Sequence, residues 1–105
     1  MDQKRRVVVT GLGLISPLGN SVKTSWNSAI EGRSGAALIS KFDTENFLTK
    51  FGATVKDFEA LDCIDPKEAR RTDLFIQYGT AAAIEAINDS GFLEFYQLED
   101  IGVSV

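Results

Sequence analysis

The chain has 105 residues, of which 44% are hydrophobic and 25% charged, so its composition is that of one ordinary globular domain. A formal net charge of −4 argues against non-specific nucleic-acid binding, and the absence of histidine removes the usual general base and metal ligand. No apolar run reaches the roughly 18 residues of a membrane span and no signal peptide is recognisable, so we expect a cytoplasmic protein that does not enter the membrane.

The first third of the chain predicts a strand, a loop and a helix in that order. Residues 4–11 (KRRVVVTG) are an apolar, β-branched run without alternation, which is typical of a strand buried on both faces. After a loop rich in glycine and serine, Asn20 or Ser21 can cap a helix that ends at Gly32. The apolar stripe of this helix comprises Val22, Trp26, Ala29 and Ile30.

The next segment, residues 33–64, has a weak pattern in which only residues 50–55 (KFGATV) predict a short strand. We expect a mixed loop region that packs its phenylalanines against a larger body. These phenylalanines are Phe42, Phe47, Phe51 and Phe58.

The best-signalled element is one long second helix. Asp65 is its predicted N-cap, Pro66 its first residue and Glu68 the partner in a capping box. It should run to about Ser90 and end at Gly91. Residues 101–105 (IGVSV) then predict the start of a second buried strand.

The long helix is predicted to be apolar around its whole circumference, so it needs neighbours on several sides. A chain this short has too little interior to enclose such a helix. We therefore expect a piece of a larger fold, and the alternative is a small α/β domain whose exposed helix face is covered by dimerisation. The apolar positions are Leu74, Phe75, Ile76, Tyr78, Ala81, Ala82, Ala83, Ile84, Ala86 and Ile87.

The glycine loop, residues 10–19 (TGLGLISPLG), invites comparison with a dinucleotide-binding fingerprint, because Gly11 and Gly13 follow a predicted strand. The third glycine of that fingerprint is missing, since Ser16 and Pro17 occupy the position. We expect no nucleotide cofactor here.

The single cysteine, Cys63, lies between Asp62 and Asp65, whose charges oppose thiolate formation. Its position just before the second helix is its one favourable feature. Without a histidine to pair with it, we expect no catalytic role.

Three cations, Lys67, Arg70 and Arg71, lie within five positions near the predicted helix start. In one continuous helix they would project from one face, although cations in a first turn oppose the helix dipole. From the residues alone, two interpretations stay open: local pairing with neighbouring carboxylates, or contact with an anionic partner. The neighbouring carboxylates are those of Asp65, Glu68 and Asp73.

The segments RRVVVTGLGLISPLGNSVKTSW, GRSGAALISKFD, KFGATVKDF and KEARRTDLFIQYGTAAAIEAINDSG together resemble the amino-terminal quarter of bacterial β-ketoacyl-acyl-carrier-protein synthases. The resemblance runs from Arg5 to Val105 in family order, and type II enzymes are more similar than type I around RRTDLFIQYG. Ketosynthase domains of polyketide synthases are the nearest alternative.

The resemblance implies an α/β, thiolase-like fold of α-β-α-β-α layers, normally a homodimer, of which residues 1–105 form an incomplete amino-terminal portion without a complete domain boundary. The family joins a malonyl unit from malonyl-ACP to an acyl chain from acyl-ACP by decarboxylative Claisen condensation, and it needs no cofactor or metal. Its catalytic cysteine and two histidines belong beyond Val105, so this chain alone should be inactive.

The resemblance also implies a role for the cations. Family members dock the acidic acyl carrier protein through basic residues at the position of KEARR, which corresponds here to Lys67, Arg70 and Arg71. The alternative is a non-catalytic module that binds an acidic carrier protein without chemistry.

Overall fold

A computed structural model describes residues 3–105 of the chain. Its helices are α1 (Val22–Ile30), α2 (Pro66–Ala69) and α3 (Leu74–Ser90). Its strands are β1 (Ala36–Leu38) and β2 (Phe51–Ala53). Short 3₁₀ turns cover Ala60–Asp62, Phe92–Glu94 and Leu98–Asp100. The strands pair antiparallel with Ala37 opposite Gly52. The predicted strand at 50–55 is thereby confirmed, whereas its partner β1 was not predicted.

The first helix begins and ends as predicted. Ser21 is the N-cap, and its hydroxyl accepts a hydrogen bond from the Thr24 amide at 3.2 Å. The Thr24 hydroxyl accepts one from the Ser21 amide at the same distance, which completes a capping box. Gly32 adopts φ +70°, the left-handed conformation that glycine accommodates without steric cost.

The two predicted buried strands, 4–11 and 101–105, are wrong for the described residues. Neither segment pairs with another strand, and the only sheet formed within residues 3–105 is β1–β2. Val7 is 86% exposed and Val103 is also 86% exposed. A strand exists only where a neighbour supplies partners for its backbone groups, and no other strand lies beside these segments within residues 3–105.

The predicted long helix is also wrong as one element, because it is interrupted at residues 70–73. α2 forms a single turn that ends at Ala69 with Arg70 as its C-cap, and α3 starts after Asp73, whose extended backbone (φ −70°, ψ 160°) marks a new N-cap. The far end agrees with the prediction, since α3 ends at Gly91 with φ +63°.

The glycine loop lies against one side of α3. A Cβ built on Gly13 would stand 1.7 Å from the Ala82 carbonyl oxygen, and one on Gly11 would stand 2.3 Å from that of Ala86. The two glycines are therefore needed because the loop backbone approaches the helix backbone too closely for any side chain.

The apolar surface of the chain stays largely uncovered. Within residues 3–105 no hydrophobic side chain is buried, and the two buried residues, Ser25 and Gln77, are polar. The radius of gyration is 17.8 Å, against about 13 Å for a compact domain of about this length. The described residues thus form helices and a small sheet, and the layers of the predicted α-β-α-β-α fold do not assemble within them.

Candidate partner-binding site

The cation patch, defined here as Lys67, Arg70 and Arg71, is carried by α2 and the turn that follows it. Asp65 starts the helix: its carboxylate accepts a hydrogen bond from the Lys67 amide at 2.8 Å. Pro66 occupies the first helical position, where its missing N–H is not needed. The patch is therefore held by a short capped helix rather than by an open loop.

The turn after α2 is closed by side chains on both sides of it. The Thr72 hydroxyl donates to the Glu68 carbonyl at 3.0 Å. From α3, the side-chain nitrogen Nε2 of Gln77 donates to the backbone carbonyls of Ala69 at 2.9 Å and Thr72 at 3.0 Å. The two bonds from Gln77 satisfy the Ala69 and Thr72 carbonyls, which the helix interruption leaves without backbone partners, whereas the Glu68 carbonyl also accepts from the Arg71 amide at 3.0 Å.

All three cations of the patch are exposed. The only ion pair found in the described part of the chain joins Arg33 to Glu31 at 2.6 Å, on the loop after α1. The local pairing of the patch with its neighbouring carboxylates is thus not seen within residues 3–105. Its ammonium and guanidinium groups are open to an external anion.

The interruption of the helix also corrects the geometry predicted for the patch. Arg70 is the C-cap of α2 and Arg71 lies in the turn beyond it, so neither arginine stands in the first turn of a long helix. The two cations stand at the carboxyl end of α2, where cations are favoured, and just before the N-cap of α3, rather than inside the first turn of one long helix.

The glycine loop has no free amides to offer a phosphate at two of its central positions. The Leu12 amide donates to the Asp89 carboxylate at 3.0 Å, and the Leu14 amide donates to the Glu85 carboxylate at 2.9 Å. The second oxygen of Glu85 accepts from the Val22 amide at 2.9 Å, at the start of α1. The loop functions as a packing element clamped by carboxylates.

Cys63 is half-buried and follows the 3₁₀ turn Ala60–Asp62. Its Sγ lies 3.6 Å from the Ala60 carbonyl oxygen, on the wall of an open cleft of about 710 Å³. The ionisable lining of this cleft is mainly acidic. It comprises Lys23, Asp57, Glu59, Asp62, Glu85 and Asp89 in addition to Cys63.

The sequence reasoning missed Gln77, which organises the turn of the cation patch, and Glu85 and Asp89, which hold the glycine loop. Gln77 carried a signal, because it is the one polar side chain in the run LFIQY and is buried to 8% exposure. Glu85 and Asp89 are four residues apart and so share a helix face, but nothing local indicates that the glycine loop lies on that face.

Comparison with known proteins identifies the class. Residues 4–105 match the family described as the amino-terminal domain of β-ketoacyl synthases. Because the match covers almost the whole chain, the chain belongs to this family, and the predicted resemblance is confirmed. Within residues 3–105, no helix has the length and apolar character needed to cross a bilayer.

The relatives narrow the comparison to one kind of synthase. The chain is similar to the "3-oxoacyl-[acyl-carrier-protein] synthase 2" of Vibrio harveyi, with 54% identity over 84% of this chain and 21% of the relative. It is 47% identical to the protein of that name from Staphylococcus aureus strain COL over 86% of the chain and 22% of the relative. The Synechocystis relative is 41% identical over 98% of the chain and 25% of its own length. The chain therefore spans about a fifth to a quarter of these relatives.

A solved structure gives the same fold. The structure described as "the ishigamide ketosynthase/chain length factor" superposes with a TM-score of 0.69 at 37% identity, over 93% of this chain and 23% of that one. The chain thus has the fold of a partial, thiolase-like ketosynthase domain.

Proposed function

We propose that the chain is the amino-terminal portion of a β-ketoacyl-acyl-carrier-protein synthase, in which it supplies scaffold and a docking surface for the carrier protein. The observation that carries the docking role is the cation patch: three exposed charges without ion-pair partners in the described residues, carried by a short capped helix and the turn after it in an otherwise acidic chain. Such a surface attracts an acidic protein quickly and in a salt-dependent manner.

The proposed reaction is that of the relatives' name: a malonyl thioester on the carrier loses CO₂, and the resulting carbanion attacks an acyl thioester held by the enzyme. A new carbon–carbon bond forms while the enzyme thiolate leaves, which gives a β-ketoacyl carrier protein. We place the nucleophile and the decarboxylating residues outside residues 1–105, in the rest of a homodimeric, five-layered α-β-α-β-α enzyme of the cytoplasm. Residues 1–105 then form part of one domain.

Two observations weigh against the alternatives. A self-sufficient binding module would bury a hydrophobic core, whereas no hydrophobic side chain is buried within residues 3–105. A polyketide ketosynthase fits less well, because identity to the synthase of Vibrio harveyi is 54% and identity to the ketosynthase/chain length factor is 37%.

The test is charge reversal in the full-length synthase, with Lys67, Arg70 and Arg71 all changed to glutamate. Because each exposed charge contributes up to about 1 kcal/mol and reversal adds repulsion, KM for carrier-bound substrates should rise by about 10- to 100-fold at low salt. KM for short thioester mimics should stay unchanged, and the difference should shrink as salt screens the charges.

A matched control reverses Lys4, Arg5 and Arg6, three exposed cations elsewhere in the chain. The control changes the net charge by the same amount, so a KM that rises equally in both variants would show a general charge effect and no docking site. Equal loss with carrier-bound and short substrates would make the patch purely structural.

A further inference from the structure

Gln77 stands out as a polar side chain in the first turn of an apolar helix. It is 8% exposed, and it follows the apolar residues Leu74, Phe75 and Ile76 directly. The hydrogen bonds of a buried carboxamide matter for stability, because removing the group leaves its former partners unsatisfied.

Both donated bonds of Gln77 end on the turn that carries the two arginines of the patch. The carbonyl of Ala69 precedes Arg70, and the carbonyl of Thr72 follows Arg71. One side chain therefore pins the backbone on either side of the Arg70–Arg71 pair. No other side-chain hydrogen bond in the described residues joins this turn to α3.

We propose that Gln77 is a positioning residue that sets the direction of Arg70 and Arg71 for an acidic protein partner. The inference rests on the docking role proposed above and adds the device that preorganises it. While the turn is fixed, the side chains of Arg70 and Arg71 extend from Cα atoms whose positions do not change. With the turn released, the partner must order the backbone itself, and that entropy cost weakens docking.

The test variant is Gln77→Met in the full-length synthase, which keeps side-chain length and removes both donors. We expect KM for carrier-bound substrates to rise about threefold to tenfold while turnover of short thioester mimics is unchanged. The salt dependence of KM should stay as in the parent enzyme, because every charge is still present. The matched control is Gln97→Met, the same change at an exposed glutamine outside the patch.

Two further measurements separate positioning from general damage. Trypsin should cut after Arg70 and Arg71 about tenfold faster in Gln77→Met than in the parent, since the turn is no longer clamped. In a background where both arginines are alanine, Gln77→Met should add no further increase in KM for carrier-bound substrates. If the methionine variant does not fold, Gln77→Asn, which is one methylene too short to reach both carbonyls, is carried through the same comparisons.

The outcomes are distinct from those of the proposed function. If charge reversal of the patch has no effect on carrier-bound substrates, the docking role is overturned and this inference with it. If the reversal raises KM but Gln77→Met does not, or if Gln77→Met acts equally without the arginines, only the positioning role of Gln77 is overturned.

Discussion

Replacing Gly13 by alanine should separate the glycine loop from α3. The new methyl carbon would stand 1.7 Å from the Ala82 carbonyl oxygen, whereas ordinary contact begins near 3.4 Å, so the backbones must move apart by about 1.7 Å. Hydrogen bonds of 3.0 Å (Leu12 to Asp89) and 2.9 Å (Leu14 to Glu85) cannot survive that displacement. With about 1 to 2 kcal/mol for each bond to an exposed charged group, the loop loses about 2 to 4 kcal/mol of local stability.

The assay is amide hydrogen exchange followed by mass spectrometry on a peptide covering residues 11–16 of the full-length synthase. A loss of that size corresponds to exchange about 30- to 1,000-fold faster, since each 1.4 kcal/mol is about a factor of ten. The control is Gly52→Ala, where the added methyl meets only Ile39 side-chain atoms at 3.7 and 3.8 Å. Native exchange rates in Gly13→Ala would refute the close approach of loop and helix.

Two other predictions concern the carboxylate clamp and the isolated chain. Glu85→Gln keeps one acceptor oxygen for two amides, those of Leu14 and Val22, so about 1 to 2 kcal/mol of local stability should be lost. One of the two amides should then exchange faster with solvent. The exposed control Glu94→Gln should leave both amides protected, and the same result for Glu85→Gln would contradict the clamp. The 105-residue chain by itself should melt without cooperativity and bind a hydrophobic dye, because no hydrophobic side chain is buried within residues 3–105. A sharp two-state transition of a monomer would show this expectation to be wrong.

The elements that the sequence predicted correctly are those whose causes lie within a few residues. The Ser21 hydroxyl caps α1 by accepting a hydrogen bond from the amide of Thr24, three positions later. Gly32 and Gly91 follow the ends of their helices, where the backbone has a positive φ that depends only on local geometry. By contrast, residues 4–11 and 101–105 have the composition of strands, but a strand is completed by a partner distant in sequence.

The break between α2 and α3 shows the same limit inside a helix. The cap signals at Asp65 and Gly91 predicted one continuous helix, yet the side chain of Gln77 binds the carbonyls at the break. Thr72 and Asp73 are residues that favour turns and caps, so a local signal for the break existed. The exposure of the cations could be foreseen from composition, whereas their placement on a clamped turn could not.

Helix α3 connects the two features that the chain brings together. In its first turn, Gln77 binds the turn that carries Arg70 and Arg71, and its later turns pack against the glycine loop at Ala82 and Ala86. Gln77 and Ala86 are nine positions apart in the helix, a rise of about 14 Å along a stiff axis. A partner that docks on the patch would therefore bind at a fixed distance and orientation relative to the glycine loop, which packs near the opposite face of α3 from Gln77. Three cations on a mobile terminus could attract the same partner, but they would impose no such geometry on the complex, because a flexible segment must be ordered anew at each encounter.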